Sequence, residues 1–196
     1  MQMPQLLFSK LIRAAVEFEM LDDGDRILLG VSGGKDSLFL TYAMSVLRSR
    51  IKKNISLTAL TIDPQFDDRF EIDRIKKFCS ELGIDHALRR VDIKNAIESS
   101  NRSPCFTCSY FRRAAVNRYA VELGAKKVAY AHHLDDAVET FFMSLLSSGR
   151  LTTFLPKTYL DRTGVTVIRP LIYIRESEIE TFIRENEIEV VKSPCP

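Results

Sequence analysis

Ser32-Gly33-Gly34-Lys35-Asp36-Ser37 packs hydroxyls, glycines, an ammonium and a carboxylate into one short turn. Those residue types at that spacing are phosphate chemistry. A glycine turn leaves backbone amides unpaired and lets an anion come close, and a following helix N-terminus adds a positive dipole end. Lys35 supplies a mobile charge, and Ser32 and Ser37 supply hydroxyl donors. A second constellation is His132-His133-Leu134-Asp135-Asp136. Adjacent carboxylates beside a triphosphate suit Mg²⁺, which takes one or two carboxylates together with phosphate oxygens. Acidic residues opening a helix also simply match its dipole and cap it. A third is Cys105-Phe106-Thr107-Cys108, with Arg112-Arg113 one turn on and Cys195 far downstream. A C-x-x-C pair serves redox, zinc and iron–sulfur sites alike. No second pair completes a four-thiolate zinc site, although His86, His132 or His133 could complete a mixed one. Three thiolates in total suit a 4Fe–4S cluster with one iron left open.

Two neighbouring phosphate motifs are excluded by spacing. A Walker A loop needs a glycine where Leu29 stands and a Ser or Thr where Asp36 follows the lysine. The dinucleotide pattern G-x-G-x-x-G is missing as well.

The elements that must position these groups alternate. A helix over Gln5 to Met20 precedes a buried strand, Ile27 to Val31, which breaks at the glycines into a helix from Lys35 to Arg50. Ile55 to Ile62 reads as a second strand, Asp67 to Leu82 as a helix closed by Gly83, and Ile84 to Val91 as a third strand. Asp92 to Ser103 reads as a short helix and loop, and Cys108 to Leu123 as a helix closed by Gly124. Then come a strand at Lys127 to Ala131, a helix from Ala137 to Ser147, a loop region Ser148 to Leu160, a strand at Val165 to Ile168 and a last helix, Glu176 to Asn186. Strand and helix in turn predict an α/β fold with a doubly wound, mostly parallel, Rossmann-like sheet and right-handed crossovers. Ligands of such sheets sit beyond the strands' carboxyl ends, where strand order reverses. The glycine turn, Asp63 and the histidine–aspartate segment each follow such an end, so all three are expected to line one crevice. Asp63 has two readings, a turn residue before Pro64 or a nucleotide contact on the adenosine side. Residues 1–24 are expected as an N-terminal helical segment, and 25–196 as the nucleotide-binding domain carrying the cysteines.

Composition is that of a globular protein, with 45% hydrophobic and 28% charged residues in 196. No apolar run approaches bilayer length, and Met1 to Lys10 lacks a signal pattern, so the expectation is cytoplasmic, with no membrane partner. A net charge of +2 predicts no nucleic-acid partner by itself. Local basic clusters, Arg48 to Lys53 and Lys126-Lys127, are solubilising surface or RNA-backbone contacts. Arg112 and Arg113 are a solvated helix face, or bind phosphate or charge developing on an activated base. Cys79, between Phe78 and Leu82, reads as a small core residue.

Ser32 to Ser37 resembles the pyrophosphate loop of the PP-loop ATPases, which split ATP between the α and β phosphates. The C-x-x-C pair, Arg112-Arg113, His132 to Asp136, Arg169-Pro170-Leu171 and Pro194-Cys195 together resemble the tRNA 2-thiocytidine synthetase family. That resemblance implies ATP bound by Ser32, Gly33, Gly34, Lys35, Asp36, Ser37, Asp63 and Ala131. It implies Mg²⁺ on Asp135 and Asp136, and a 4Fe–4S cluster on Cys105, Cys108 and Cys195. Lys35, Asp36, Arg112, His132, Asp135 and Asp136 would carry catalysis. The partners implied are tRNA, with a cytidine of its anticodon loop as target, and a sulfur donor such as a cysteine desulfurase; the N-terminal helix could support a homodimer. Other PP-loop tRNA enzymes, making 2-thiouridine or lysidine, remain open, as does a non-catalytic nucleotide-binding or sulfur-carrier module.

Overall fold

A computed structural model describes residues 1–66 and 70–191 of the chain. Its centre is a six-stranded sheet in the order β3-β2-β1-β4-β6-β5. The strands are β1 (Arg26–Gly30), β2 (Ser56–Asp63), β3 (Asp85–Arg90), β4 (Lys127–Ala129), β5 (Lys157–Leu160) and β6 (Val165–Ile168). All pairings are parallel except β5 with β6. From β1 the order runs outward through β2 and β3 on one side and through β4 on the other. The reversal therefore lies between β1 and β4, where a crevice opens beyond their carboxyl ends.

Period-two alternation divides the core. Ile27 and Leu29 of β1 join one cluster with α1 (Gln5–Glu17), α2 (Lys35–Arg50), α3 (Ile72–Glu81) and α7 (Glu176–Glu185). Leu28, between them, faces a second cluster with Leu60, Ile62 and Val128, covered by Val116 and Ala120 of α5 (Pro104–Leu123). The two helices left are α4 (Ile93–Glu98) and α6 (Leu134–Ser148). α1 buries Leu7, Leu11, Ala14 and Ala15 in the core and leaves Leu6 and Val16 exposed. α6 buries no residue and exposes Val138, Phe142, Met143 and Leu146.

Several boundaries differ from the sequence expectation. α5 starts at Pro104 rather than Cys108. The Ser103 hydroxyl accepts the Phe106 amide at 3.4 Å, and proline is suited to the first helical position. Both cysteines are consequently helical. α6 starts at Leu134 rather than Ala137, because His133 and Asp136 form a reciprocal cap: the His133 amide donates to Asp136 Oδ2 at 2.8 Å, and Asp136 N–H donates to His133 Nδ1 at 3.4 Å. The loop region Ser148 to Leu160 contains strand β5, an edge strand added antiparallel through its register with Val165 to Ile168. The helix expected from Asp67 begins at Ile72, and residues 67–69 lie outside the described residues. The acidic Asp22 to Asp25 connection is an anchor: buried Lys127 donates to Asp22 at 2.7 Å and to Asp25 at 2.6 Å.

Candidate functional site

The crevice at the β1/β4 reversal has a volume of about 350 Å³. Three connections build it. The β1–α2 turn brings Ser32, Gly34, Asp36 and Ser37; α5 brings Arg112 and Arg113; the β4–α6 turn brings Tyr130, Ala131, His132 and Asp136.

Hydroxyl oxygens organise the glycine turn. Ser37 Oγ accepts the amides of Ser32 and Gly33, both at 3.1 Å, and donates to the Gly34 carbonyl at 2.9 Å. The Gly34 amide donates to Ser32 Oγ at 3.4 Å. The amides expected to stand free are thus held by two serine hydroxyls, those of Ser32 and Gly33 by Ser37 and that of Gly34 by Ser32. The two glycines do different work. Gly33 has φ +84°, and a Cβ there would lie 2.8 Å from Val191 Cβ and 2.9 Å from Ile75 Cδ1. Gly34 caps α2 with φ −70°, and a Cβ there would meet only Ser32 Oγ, at 3.5 Å. Gly34 therefore leaves open space over the turn, as a cradle for a phosphate requires. Val191 also donates its amide to the Gly33 carbonyl at 2.9 Å, which pins the chain four positions before Cys195 to this turn.

Lys35 does not line the crevice. Its Nζ lies 2.6 Å from Glu176 Oε1 and 3.4 Å from Asp36 Oδ2. Burial works against the ammonium charge, but these acids outweigh it and raise the Lys35 pKa. Asp36, on the crevice wall, has a buried Oδ1 with no hydrogen bond, and His133 Nε2 stands 3.8 Å from it. Asp136 caps α6 and faces the crevice. Asp135 turns aside, its Oδ2 accepting the Glu176 amide at 2.7 Å. Among the described residues no three His, Cys, Asp or Glu side chains stand close enough to hold a metal ion unaided. A magnesium ion needs less, because phosphate oxygens complete its shell.

His133 is buried and structural, holding the α6 cap. His132 faces the crevice between Tyr130 and Phe154, with ring centroids 6.0 and 5.2 Å away. Burial, helped by the Arg169 charge, lowers its pKa, so the imidazole is neutral at pH 7. Tyr130 packs over Gly30, and burial pushes its phenol up to about 12. Asp63 takes the turn role: its Oδ1 accepts the Gln65 amide at 2.9 Å and its Oδ2 lies 3.5 Å from Arg90, away from the crevice lining.

The cysteines sit in phase with the crevice. Cys105, Cys108, Arg112 and Val116 follow one another at three- and four-residue steps along α5, which places them on one helical face. Arg112 and Val116 line the crevice. Cys108 is half-buried one turn out from Arg112 along that same face, and Cys105 is exposed two turns out. Two thiols stepped by three residues in the first turns of a helix fit a metal–sulfur cluster. Cys195, the third expected ligand, lies outside the described residues. Cys79 is fully buried, its thiol pushed up to about 11 by burial, which suits a core residue. Sequence reasoning missed Glu176 and Tyr130. Tyr130 follows a strand end and was findable by the topology rule; Glu176 opens a helix, where an acid reads as dipole matching.

A family model described as a PP-loop domain matches residues 7–195. The tRNA-cytidine(32) 2-sulfurtransferase of Geobacter sulfurreducens is 39% identical over 94% of this chain and 72% of its own length. That of Geobacter metallireducens is 37% identical over the same shares, 94% and 72%. Among solved structures, the U34-tRNA thiolase NcsA from Methanococcus maripaludis with its 4Fe–4S cluster superposes with a TM-score of 0.78 at 25% identity, covering 98% of this chain and 66% of the thiolase. The NH3-dependent NAD synthetase of Campylobacter jejuni shares the fold, with a TM-score of 0.59 at 16% identity.

Proposed function

The chain belongs to the PP-loop family, and from that premise we propose that it is an ATP-dependent tRNA sulfurtransferase, replacing the C2 oxygen of an anticodon-loop cytidine with sulfur. The observation that carries the reading is the α5 face, which runs unbroken from crevice-lining Val116 and Arg112 to Cys108 and Cys105. Nucleotide and thiols thereby share one opening.

The triphosphate lies along the Ser32 to Ser37 turn, where Gly34 leaves room and the serine hydroxyls hold the turn's amides together. The C2 oxygen of the base attacks the α-phosphorus, and the bond to the β-phosphate oxygen breaks. Lys35 and the α2 N-terminus take up the charge of the departing pyrophosphate. Arg112 stands between thiols and nucleotide, where charge develops on the adenylated base. Neutral His132, at the same wall, is available to accept the proton shed by the base. Asp136 and Asp36 line the crevice and would hold Mg²⁺, which would neutralise phosphate charge. A 4Fe–4S cluster on Cys105, Cys108 and Cys195 would supply the sulfur that displaces AMP. An external donor, such as a cysteine desulfurase, replenishes it. The target base is unpaired in its loop, so bringing it into the crevice costs less than extraction from a duplex. The setting is cytoplasmic; among the described residues no helix is long and apolar enough to cross a membrane.

The test is anaerobic reconstitution with iron and sulfide, reaction with tRNA and ATP, and mass spectrometry of the digested nucleosides. The expected product is 2-thiocytidine with stoichiometric AMP and pyrophosphate. A thiolase that acts on U34 has this fold with its cluster, and 2-thiouridine in the digest would move the target to that base. Absence of any thionucleoside would remove the assignment.

A further inference from the structure

Glu176 is tied to the loop lysine from 141 positions away in the chain. It is the first residue of α7, and its Oε1 lies 2.6 Å from Lys35 Nζ, closer than the neighbouring Asp36 carboxylate at 3.4 Å. Its backbone is fixed at the junction of two helix starts. The Glu176 amide donates to Asp135 Oδ2 at 2.7 Å, and the Leu134 amide donates to the Ile174 carbonyl at 2.9 Å. The carboxylate is therefore presented to Lys35 by a rigid mount. The two side chains are 28% and 43% exposed, and an ion pair this open breaks at little cost. While the pair is made, hydrogen bonding and attraction to Lys35 hold the Glu176 pKa low, and the place of Glu176 in the first turn of α7 matches the helix dipole.

We propose that Glu176 is a positioning residue that exchanges with pyrophosphate for Lys35. It holds the ammonium aside from the crevice before nucleotide binds, yields it to the phosphates, and takes it back as pyrophosphate departs. This rests on the PP-loop reading of Lys35 above. The exchange gives the lysine two anionic stations, so the attraction that stabilises the leaving group does not hold the product in place. No bond is made or broken at Glu176; only the ion pair moves.

The experiment is calorimetric titration of the whole protein with inorganic pyrophosphate in the presence of Mg²⁺, and separately with AMP. Neither titration needs tRNA or a loaded cluster. Glu176→Gln keeps the side-chain shape and the backbone amide. It should tighten pyrophosphate roughly fivefold, the factor that about 1 kcal/mol of released competition represents, and leave AMP unchanged. Glu176→Asp keeps the charge and should stay within about twofold of the native protein. In a Lys35→Ala background the Glu176→Gln effect should vanish. Pyrophosphate affinity unchanged or weakened in Glu176→Gln, or AMP shifted equally, overturns the exchange. Should Lys35→Ala itself leave pyrophosphate affinity unchanged, the assignment of the loop fails first, and the exchange with it.

Discussion

Gly33 and Gly34 are adjacent and chemically identical, yet the structure assigns them opposite roles, and alanine at each separates the two. At Gly33 a methyl group would sit 2.8 Å from Val191 Cβ and 2.9 Å from Ile75 Cδ1. Ile75 is fully buried and Val191 nearly so, so neither has room to withdraw. The backbone at φ +84° adds its own cost for any L side chain, about 1–2 kcal/mol. Overpacking a filled core adds about 1–3 kcal/mol. Gly33→Ala should therefore lose roughly 2–5 kcal/mol, a large part of the 5–15 typical of a folded domain. At a urea slope of about 2 kcal/mol/M the midpoint falls by roughly 1–2.5 M. At Gly34, φ is −70° and the nearest atom is Ser32 Oγ at 3.5 Å, an ordinary contact. Gly34→Ala should stay within about 1 kcal/mol of the native stability, the scale of an N-cap change. Its methyl group instead enters the space assigned to phosphate, so ATP binding should be lost. Urea titration by circular dichroism and calorimetric ATP titration on both variants check this. Equal midpoints for the two variants, or ATP binding retained in a folded Gly34→Ala protein, would refute the division of labour.

Serine at Cys105, Cys108 or Cys195 should abolish thionucleoside formation while leaving ATP affinity unchanged. Serine at Cys79 should instead leave ligand chemistry intact and cost about 1–3 kcal/mol, because it buries a hydroxyl in an apolar site; urea midpoints and nucleoside analysis separate the two patterns. Burial lowers the pKa of both His86 and His132 from 6.5. Their unfolded forms therefore bind protons first, and the stability they contribute is complete above about pH 6.5 and lost as pH falls through the lowered folded values. Glutamine at either position should flatten the fall of the urea midpoint below pH 6.5, and an unaltered slope would contradict the burial argument. Lys127→Ala should cost about 3 kcal/mol, since it strands the Asp25 carboxylate, only 12% exposed, without its cation. The Lys127→Ala, Asp25→Asn pair should recover part of that loss in urea.

What was legible in the sequence was local. The Ser32 to Ser37 turn, the start of α2 at Lys35 and the end of α5 before Gly124 are each specified within a few residues, by a glycine, a dipole or a cap. Parallel order followed from alternation, because a strand–helix–strand crossover has one favoured hand. What failed was set by partners distant in sequence. β5 carries little apolar signal of its own and is a strand because β6 offers an open edge. The expected end of the first helix at Met20 gave way to Glu17, after which Glu19 turns at φ +47° and Met20 folds back into the core. Cys108 was placed at a helix start by its sequence context, whereas Ser103 and Pro104 begin that helix one turn earlier.

The same distinction runs through the site. A phosphate loop can be written in consecutive residues because its donors are backbone amides of one turn. A counter-ion for its lysine cannot, because a carboxylate close in sequence is constrained by the helix it opens: Asp36 reaches Lys35 only at 3.4 Å, and its other oxygen has no hydrogen bond, with His133 Nε2 3.8 Å away. The closer acid comes from α7, carried there by Asp135, whose carboxylate receives the Glu176 amide. Asp135 thus acts on the loop through a backbone bond. Its sequence neighbour Asp136 faces the crevice directly. Two adjacent aspartates that look equivalent as a metal pair are divided by geometry, one supporting the lysine's partner and one lining the crevice. Replacing Asp135 with Asn should therefore perturb Lys35 first, and replacing Asp136 should unfasten the α6 cap as well as the crevice wall.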